Sequence, residues 1–296
     1  MCDSLSEDVL AAPKISISCP TTWTATIFED IENYAAAGAS GIGLWEFKFA
    51  GHDDGEIRDA MQAAGLAATL CCPTVPSLIP DPFFSEPADP DERLAALTAA
   101  IHRLSRFSPA AILVTTGQPG DYGLAEARRI VTEKLKPAAD AAGELGIVLG
   151  VEPYRRTSGT LVTSLPETLD LVDAVGRSNV KVIIDAWHYW DVPDGLRDLR
   201  ENADCVVGVQ LNDWREPTRS WCDRVLPGDG SIDLRSLLRS LDSAGFEGWY
   251  DVEVFSDNGL FGSDYPDSVW ARPPAEVARD SVSKVMDLWR TRNKAA

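Results

Sequence analysis

Histidine is nearly absent from this chain, at three residues in 296. That scarcity argues against a multinuclear zinc cluster, which draws on several imidazoles. Six cysteines contain no CxxC pair. Cys71 and Cys72 are adjacent within an apparent strand, so their side chains point to opposite faces and form no ligand cluster. Buried free thiols in a reducing cytoplasm are the simpler reading. Positive charge is also short: 27 Lys and Arg against 46 Asp and Glu give a formal charge of −19. A surface of that sign repels phosphate backbones and anionic bilayers, so neither nucleic acid nor membrane is expected as a partner. No apolar run approaches the roughly 18 residues of a membrane span. The opening MCDSLSEDVLAAP has neither a basic n-region nor an apolar h-region, so residues 1–13 read as a flexible lead rather than a signal peptide. No Gly-rich dinucleotide fingerprint follows the first strand candidate, where CPTTWT stands instead. A nicotinamide-binding sheet is therefore disfavoured.

What the chain does have is a 45% apolar fraction and nine Trp, enough to fill a large core. Short β-branched runs recur at 14–20, 41–47, 67–73, 111–117, 147–153, 180–186, 206–213 and 249–255. Helical patterns lie between them, several opened by Asp, Ser or Thr and closed by Gly. In SLPETLDLVDAVG, Ser164 is placed to cap, with Pro166 and Glu167 in the first turn. Eight strands alternating with eight helices predict an α/β fold, a single (β/α)8 TIM barrel over 14–296, with eight parallel strands. Two long connections, one after the third strand (from Pro73) and one after the seventh (from Asn212), would sit over the carboxyl-terminal face as walls or lids.

Three strands end on a carboxylate: Glu152 in IVLGVEP, Asp185 in VKVIIDA and Glu253 in WYDVEVF. A carboxylate ending an apolar strand is poorly placed for a core and well placed for a metal at the barrel mouth. Gln210 in VVGVQLND holds the matching position on the seventh strand and offers a neutral oxygen. Hard oxygen donors of this kind suit Mn²⁺ or Mg²⁺, with Co²⁺ or Zn²⁺ also accommodated. For any one carboxylate a salt bridge or helix cap competes with this reading. His188, three residues after Asp185, is a candidate to orient a substrate oxygen or move a proton, against a purely structural role. Arg224, just before the PGDG turn of 227–230, is either aimed at the mouth or a surface residue. Trp23 and Trp45 are candidates for an apolar wall or for core packing. Glu46 is a further acid or base candidate, and Asp213 either supports the ligands or caps a turn.

Glu152 in GVEP, Asp185 and His188 in DAWH, the QLND of 210–213, the DRVLPGDGSID of 223–233 and Glu253 in DVEVF follow one order. In that order the chain resembles the sugar phosphate isomerase/epimerase superfamily, the xylose-isomerase-like barrels, over about 14–290. The resemblance implies a divalent metal held by Glu152, Asp185, Gln210 and Glu253. It places His188 and Arg224 as partners of substrate oxygens. In ketose epimerases of the family the two glutamates, here Glu152 and Glu253, exchange protons on opposite faces of the substrate. Those epimerases carry His where this chain has Gln210; Gln there looks more like dehydratases acting on 3-dehydroshikimate.

The expectation is a cytoplasmic, metal-dependent carbohydrate isomerase or epimerase. It would abstract a proton next to a carbonyl, through an enediolate that the metal stabilises. The alternative is a lyase or dehydratase performing β-elimination on a keto-sugar, a 3-oxo-glycoside, a cyclitol or a dehydroshikimate-like substrate. No Arg- or Lys-rich phosphate cradle accompanies a Gly-rich loop, which favours an unphosphorylated small-molecule carbohydrate. Exposed apolar loops are compatible with a homo-oligomer. Abasic-site endonucleases share the barrel, but the low His count and the charge of −19 oppose that reading. A non-catalytic sugar-binding or scaffold protein would retain the barrel without a metal.

Overall fold

Each expected β-branched run becomes extended chain in the computed structural model, which describes residues 12–294. The lead expected over residues 1–13 lies outside the described residues except for Ala12 and Pro13. The parallel strands are β1 (Ile15–Ser18), β2 (Gly41–Gly43), β3 (Ala67–Ala68), β4 (Leu70–Cys71), β5 (Ala111–Thr115), β6 (Leu149–Glu152), β7 (Val180–Asp185), β8 (Val206–Leu211) and β11 (Trp249–Val252). Two short strands, β9 (Asp213–Trp214) and β10 (Arg224–Val225), pair antiparallel in the loop after β8.

The sheet order is β3-β2-β1-β11-β8-β7-β6-β5-β4. Its two ends are halves of one run interrupted at Thr69. The Thr69 N–H donates to Ile42 O at 3.0 Å, and its carbonyl accepts from Ala111 N at 3.1 Å. Thr69 thus bridges both neighbours, and the parallel sheet closes on itself as a TIM barrel.

Helices alternate with the strands and pack outside them. The caps follow local chemistry: Thr26 and Glu29 form a reciprocal capping box at α1 (Ile27–Ala36). At the helix Leu165–Val175 the Ser164 side chain accepts from Glu167 N, Pro166 fits the first turn, and Gly176 closes the helix in the left-handed region. The final helix runs Pro274–Thr291. The connection after β7 departs from simple alternation, with two short helices, Ala186–Tyr189 and Gly195–Glu201.

Period-two alternation sorts the strand residues into two cores. Most apolar strand residues face the helices, while Leu70, Cys72, Ala111, Leu113 and Ile183 form a separate inner cluster. Cys71 and Cys72 fall into different clusters, as adjacent strand residues must. Gly150 and Gly208 leave room for that inner layer. A Cβ on Gly150 would lie 2.4 Å from Ile183 Cδ1, and one on Gly208 2.6 Å from Leu70 Cδ2. Two residues further along each inward-facing row stand Glu152, Asp185 and Gln210, above this apolar plug.

Candidate active site

The four strand-end groups arise from adjacent staves of the barrel. In the order β6, β7, β8, β11 they supply Glu152, Asp185, Gln210 and Glu253, with Asp185 and Gln210 directly opposed across the ladder. All four are buried, at 4%, 0%, 1% and 3% relative exposure. Buried charges need partners, and each of these has a different set.

Asp185 is the most engaged. Its Oδ1 accepts from Trp187 N at 2.8 Å and from Asn212 Nδ2 at 2.7 Å, while Oδ2 takes Arg224 Nη1 at 2.7 Å. Glu253 accepts from Gln210 Nε2 at 2.6 Å and Ser18 Oγ at 3.3 Å, and its other oxygen lies 3.6 Å from Arg224. The Glu152 carboxylate accepts no hydrogen bond among the described residues. Burial, with Asp185 and Glu253 as like charges nearby, pushes Glu152 well above the usual carboxylate range. Burial, with Asp185 and Asp251 as like charges nearby, pushes Glu253 up to about 8.

His188 lies beside this group, its Nε2 4.0 Å from Glu152 Oε1 and 3.9 Å from Asp185 Oδ2. The imidazole stacks on Tyr154 at 4.3 Å, and its Nδ1 accepts from the Arg155 backbone N–H at 3.2 Å. Burial lowers its pKa to about 3, so the ring is neutral near pH 7. A neutral ring whose Nδ1 accepts must carry its proton on Nε2. That proton faces the carboxylates and the cavity, which makes His188 a donor.

Arg224 is held by β10, not by the PGDG turn. Its N–H donates to Phe255 O at 2.9 Å, and its guanidinium lies between the Trp187 and Phe255 rings, 5.0 and 4.8 Å from their centroids. At 4% exposure it is no surface residue. Burial disfavours its charge, but Asp185 and Glu253 more than compensate and keep it cationic. The PGDG turn is organised by Asp213, whose carboxylate accepts from Trp214 N, Gly228 N and Ile232 N at 2.8, 2.9 and 2.9 Å. Asp213 is therefore a turn cap.

Above these groups opens a cavity of about 1020 Å³, bordered by Glu152, His188, Arg224 and Glu253 and walled largely by aromatic rings, Trp23 and Trp45 among them. Both long loops border it, through Pro82–Phe84 and through Thr218, Ser220 and Trp221. Glu46 stands outside. Its Oε2 accepts from Thr74 N at 2.9 Å and its Oε1 pairs with Arg103 at 3.4 Å, so both oxygens already have partners.

The donor set fits a divalent cation. Glu152, Asp185 and His188 bring ligand atoms within 4.8 Å of one another, a grouping that could hold a metal ion. Fully ionised, the three buried carboxylates would outnumber the Arg224 guanidinium by two negative charges, which a divalent cation would balance. Gln210 Oε1 is buried with no donor among the described residues, an acceptor in want of a partner. Asn212 was missed from sequence, although it lies on the same strand face as Gln210, two residues on. It ties Asp185 Oδ1 to the Glu253 carbonyl, at 2.7 and 3.0 Å. Ser18 is a second such residue: it accepts from Trp45 Nε1 at 3.1 Å while donating to Glu253.

Comparison with known proteins gives a consistent picture. The family described as xylose isomerase-like TIM barrel matches residues 31–287. The D-psicose 3-epimerase of Enterocloster bolteae is 23% identical over 183 residues, 61% of this chain and 56% of its own. The 3-dehydroshikimate dehydratase of Pseudomonas aeruginosa is 26% identical over 249 residues, 79% of this chain and 37% of its own. The chain thus spans about half the length, or less, of these curated relatives. A solved structure from Sinorhizobium meliloti superposes with a TM-score of 0.80 at 25% identity, covering 93% of this chain and 98% of that one.

Proposed function

The chain belongs to the xylose isomerase-like TIM barrel family, and from that premise we propose that it is a divalent-metal-dependent carbohydrate isomerase or epimerase of the cytoplasm. The observation that carries the reading is the pair of buried glutamates at the cavity floor. Glu152 and Glu253 have two strands between them, those of Asp185 and Gln210, and both border the cavity. Carboxylates so placed, flanking a bound substrate, are fitted to take a proton and return it.

Glu152, Asp185, Gln210 and Glu253 would hold the cation, Mn²⁺ or Mg²⁺ by the hardness of the oxygen donors. When bound, it supplies Lewis acidity at a carbonyl oxygen and its neighbouring hydroxyl. The remaining chemistry belongs to the chain. The His188 Nε2–H donates to a substrate oxygen, and its fixed tautomer sets the direction. Arg224, clamped between two rings, offers a permanent positive charge to an enediolate oxygen. One glutamate removes the proton next to the carbonyl and the other delivers a proton to the opposite face. Among the described residues five cysteines are free, four of them buried, which fits a reducing compartment.

A second reading has its own support. Gln210 replaces the His of the ketose epimerases, and the dehydratase match covers more of this chain than the epimerase match. In that reading the same proton abstraction is followed by loss of a β leaving group from a keto-sugar, 3-oxo-glycoside, cyclitol or dehydroshikimate-like substrate.

The test begins with elemental analysis of the wild type and of Glu152→Gln and Asp185→Asn. Near-stoichiometric divalent metal, lost in both variants, is expected. Solvent deuterium should then enter free ketoses for an isomerase or epimerase, and enter 3-oxo-glycosides with elimination for a lyase. A wild type that takes up no metal even on reconstitution sinks both readings.

A further inference from the structure

The cavity is large and its chemistry is segregated. Its volume, about 1020 Å³, stands at the upper end of the range of about 300–1,000 Å³ that accommodates drug-sized ligands. A free monosaccharide would fill a small part of it. The polar groups lie together on the floor, and the walls continue outward as rings. Phe255, against which Arg224 packs, is 5.7 Å from Trp221, and Trp221 is 4.4 Å from Phe83. On the other side Trp221 lies 5.5 Å from Phe261. Phe83 and Phe261 are 41% and 46% exposed, so the row of rings runs from the carboxylates to solvent.

Going beyond the proposed reaction, and resting on its 3-oxo-glycoside form for the sugar end, we infer that the substrate is a 3-oxo-glycoside carrying an aromatic aglycone. Its sugar ring meets the floor and its planar apolar group stacks along Phe255, Trp221 and Phe83. Core packing does not account for Phe83, which is 41% exposed at the cavity rim. A phosphorylated or anionic aglycone is not matched. Arg215 and Arg219 on the Trp221 loop are both engaged by Asp223 and Asp267, at 2.6–2.9 Å, and Arg155 by Asp191 at 2.7 Å.

The corridor is built in advance of any ligand. Buried Arg93 donates to Ser77 O at 2.8 Å, Pro87 O at 2.6 Å and Phe84 O at 2.8 Å. Asp81 caps the N–H groups of Phe83 and Phe84 at 2.8 and 2.9 Å. A rim fixed in this way loses little entropy when a flat ring lands on it.

The experiment is calorimetric titration of the purified full chain with 2-naphthyl β-D-glucopyranoside, methyl β-D-glucopyranoside and free 2-naphthol. The naphthyl glucoside is expected to bind at least about tenfold more tightly than either of the other two, the equivalent of about 1.4 kcal/mol. That preference over the methyl glucoside should fall towards unity in Trp221→Ala and, separately, in the exposed-site variant Phe83→Ala, each checked for native thermal unfolding. Equal affinity for naphthyl and methyl glucosides overturns the inference. So does 2-naphthol binding as tightly as its glucoside, or full preference retained in both variants. No turnover is read, so failure of the proposed chemistry is scored separately, by metal content and deuterium exchange.

Discussion

Gln210 donates from Nε2 to Oε1 of Glu253 at 2.6 Å, across adjacent strands, and its own Oε1 is left buried without a donor among the described residues. The amide therefore does two things that an imidazole cannot do in the same orientation: it orients a glutamate and presents a neutral oxygen. Gln210→Leu removes both. The expected result is at least the loss of about tenfold to hundredfold in metal affinity typical of removing a ligand's support, read by competition with a fluorescent chelator. Gln210→His should shift preference from Mg²⁺ towards Zn²⁺. Unchanged affinity in Gln210→Leu would remove Gln210 from the ligand set.

His188 separates two geometries that distance alone leaves together. It stands close enough to Glu152 and Asp185 to be grouped with them as a ligand. The Arg155 N–H on its Nδ1 nevertheless places the proton on Nε2. His188→Ala is accordingly expected to keep full metal occupancy by elemental analysis while kcat/KM falls by about a hundredfold or more. Loss of the metal in that variant would make His188 a ligand instead.

Much of the barrel was legible because strand alternation and helix capping are local. Ser164, Pro166 and Glu167 act as their residue types dictate, and Cys71 and Cys72 part to opposite faces. The break at Thr69 was not legible. It arises because the third strand must bond β2 through one half and β5 through the other, a demand of closure that no local signal carries.

The same division holds at the site. Glu152, Asp185, Gln210 and Glu253 announced themselves as polar groups ending apolar strands. Asn212 and Ser18 were overlooked, since a short polar side chain near a strand end is ordinary and only its partners give it a role. Glu46 looked available but pairs with Arg103, which is 57 positions away in the chain.

Arg93 is the largest fully buried side chain, and it faces carbonyls instead of a carboxylate. Arg93→Met would leave Ser77 O, Phe84 O and Pro87 O without that donor, and each buried group so orphaned costs about 1–3 kcal/mol. The urea midpoint should fall clearly, and affinity for the naphthyl glucoside should fall with it as the Phe83 loop loosens. A variant with wild-type stability would show that water or the loop itself replaces these bonds.

Asp30 and Lys48 form a buried pair at 2.6 Å, behind the β1 end of the barrel. Removing Lys48 from this pair leaves the Asp30 carboxylate buried alone, which costs about 3–5 kcal/mol, so Lys48→Met should destabilise strongly near pH 7. The double variant Asp30→Asn/Lys48→Met should recover most of that loss. The pH dependence follows from the same burial, which outweighs the attraction of Lys48 and raises the Asp30 carboxyl from 3.8 to about 6. Between those two values the folded chain holds a proton that the unfolded chain has released. This group's contribution is therefore fully present below the lower value and is lost as pH rises through the upper one. Urea titrations at intervals from pH 4 to 7 should show the wild type losing stability relative to the double variant across that window, then running parallel above it. A difference that is flat from pH 4 to 7 would mean that Lys48 holds Asp30 ionised throughout.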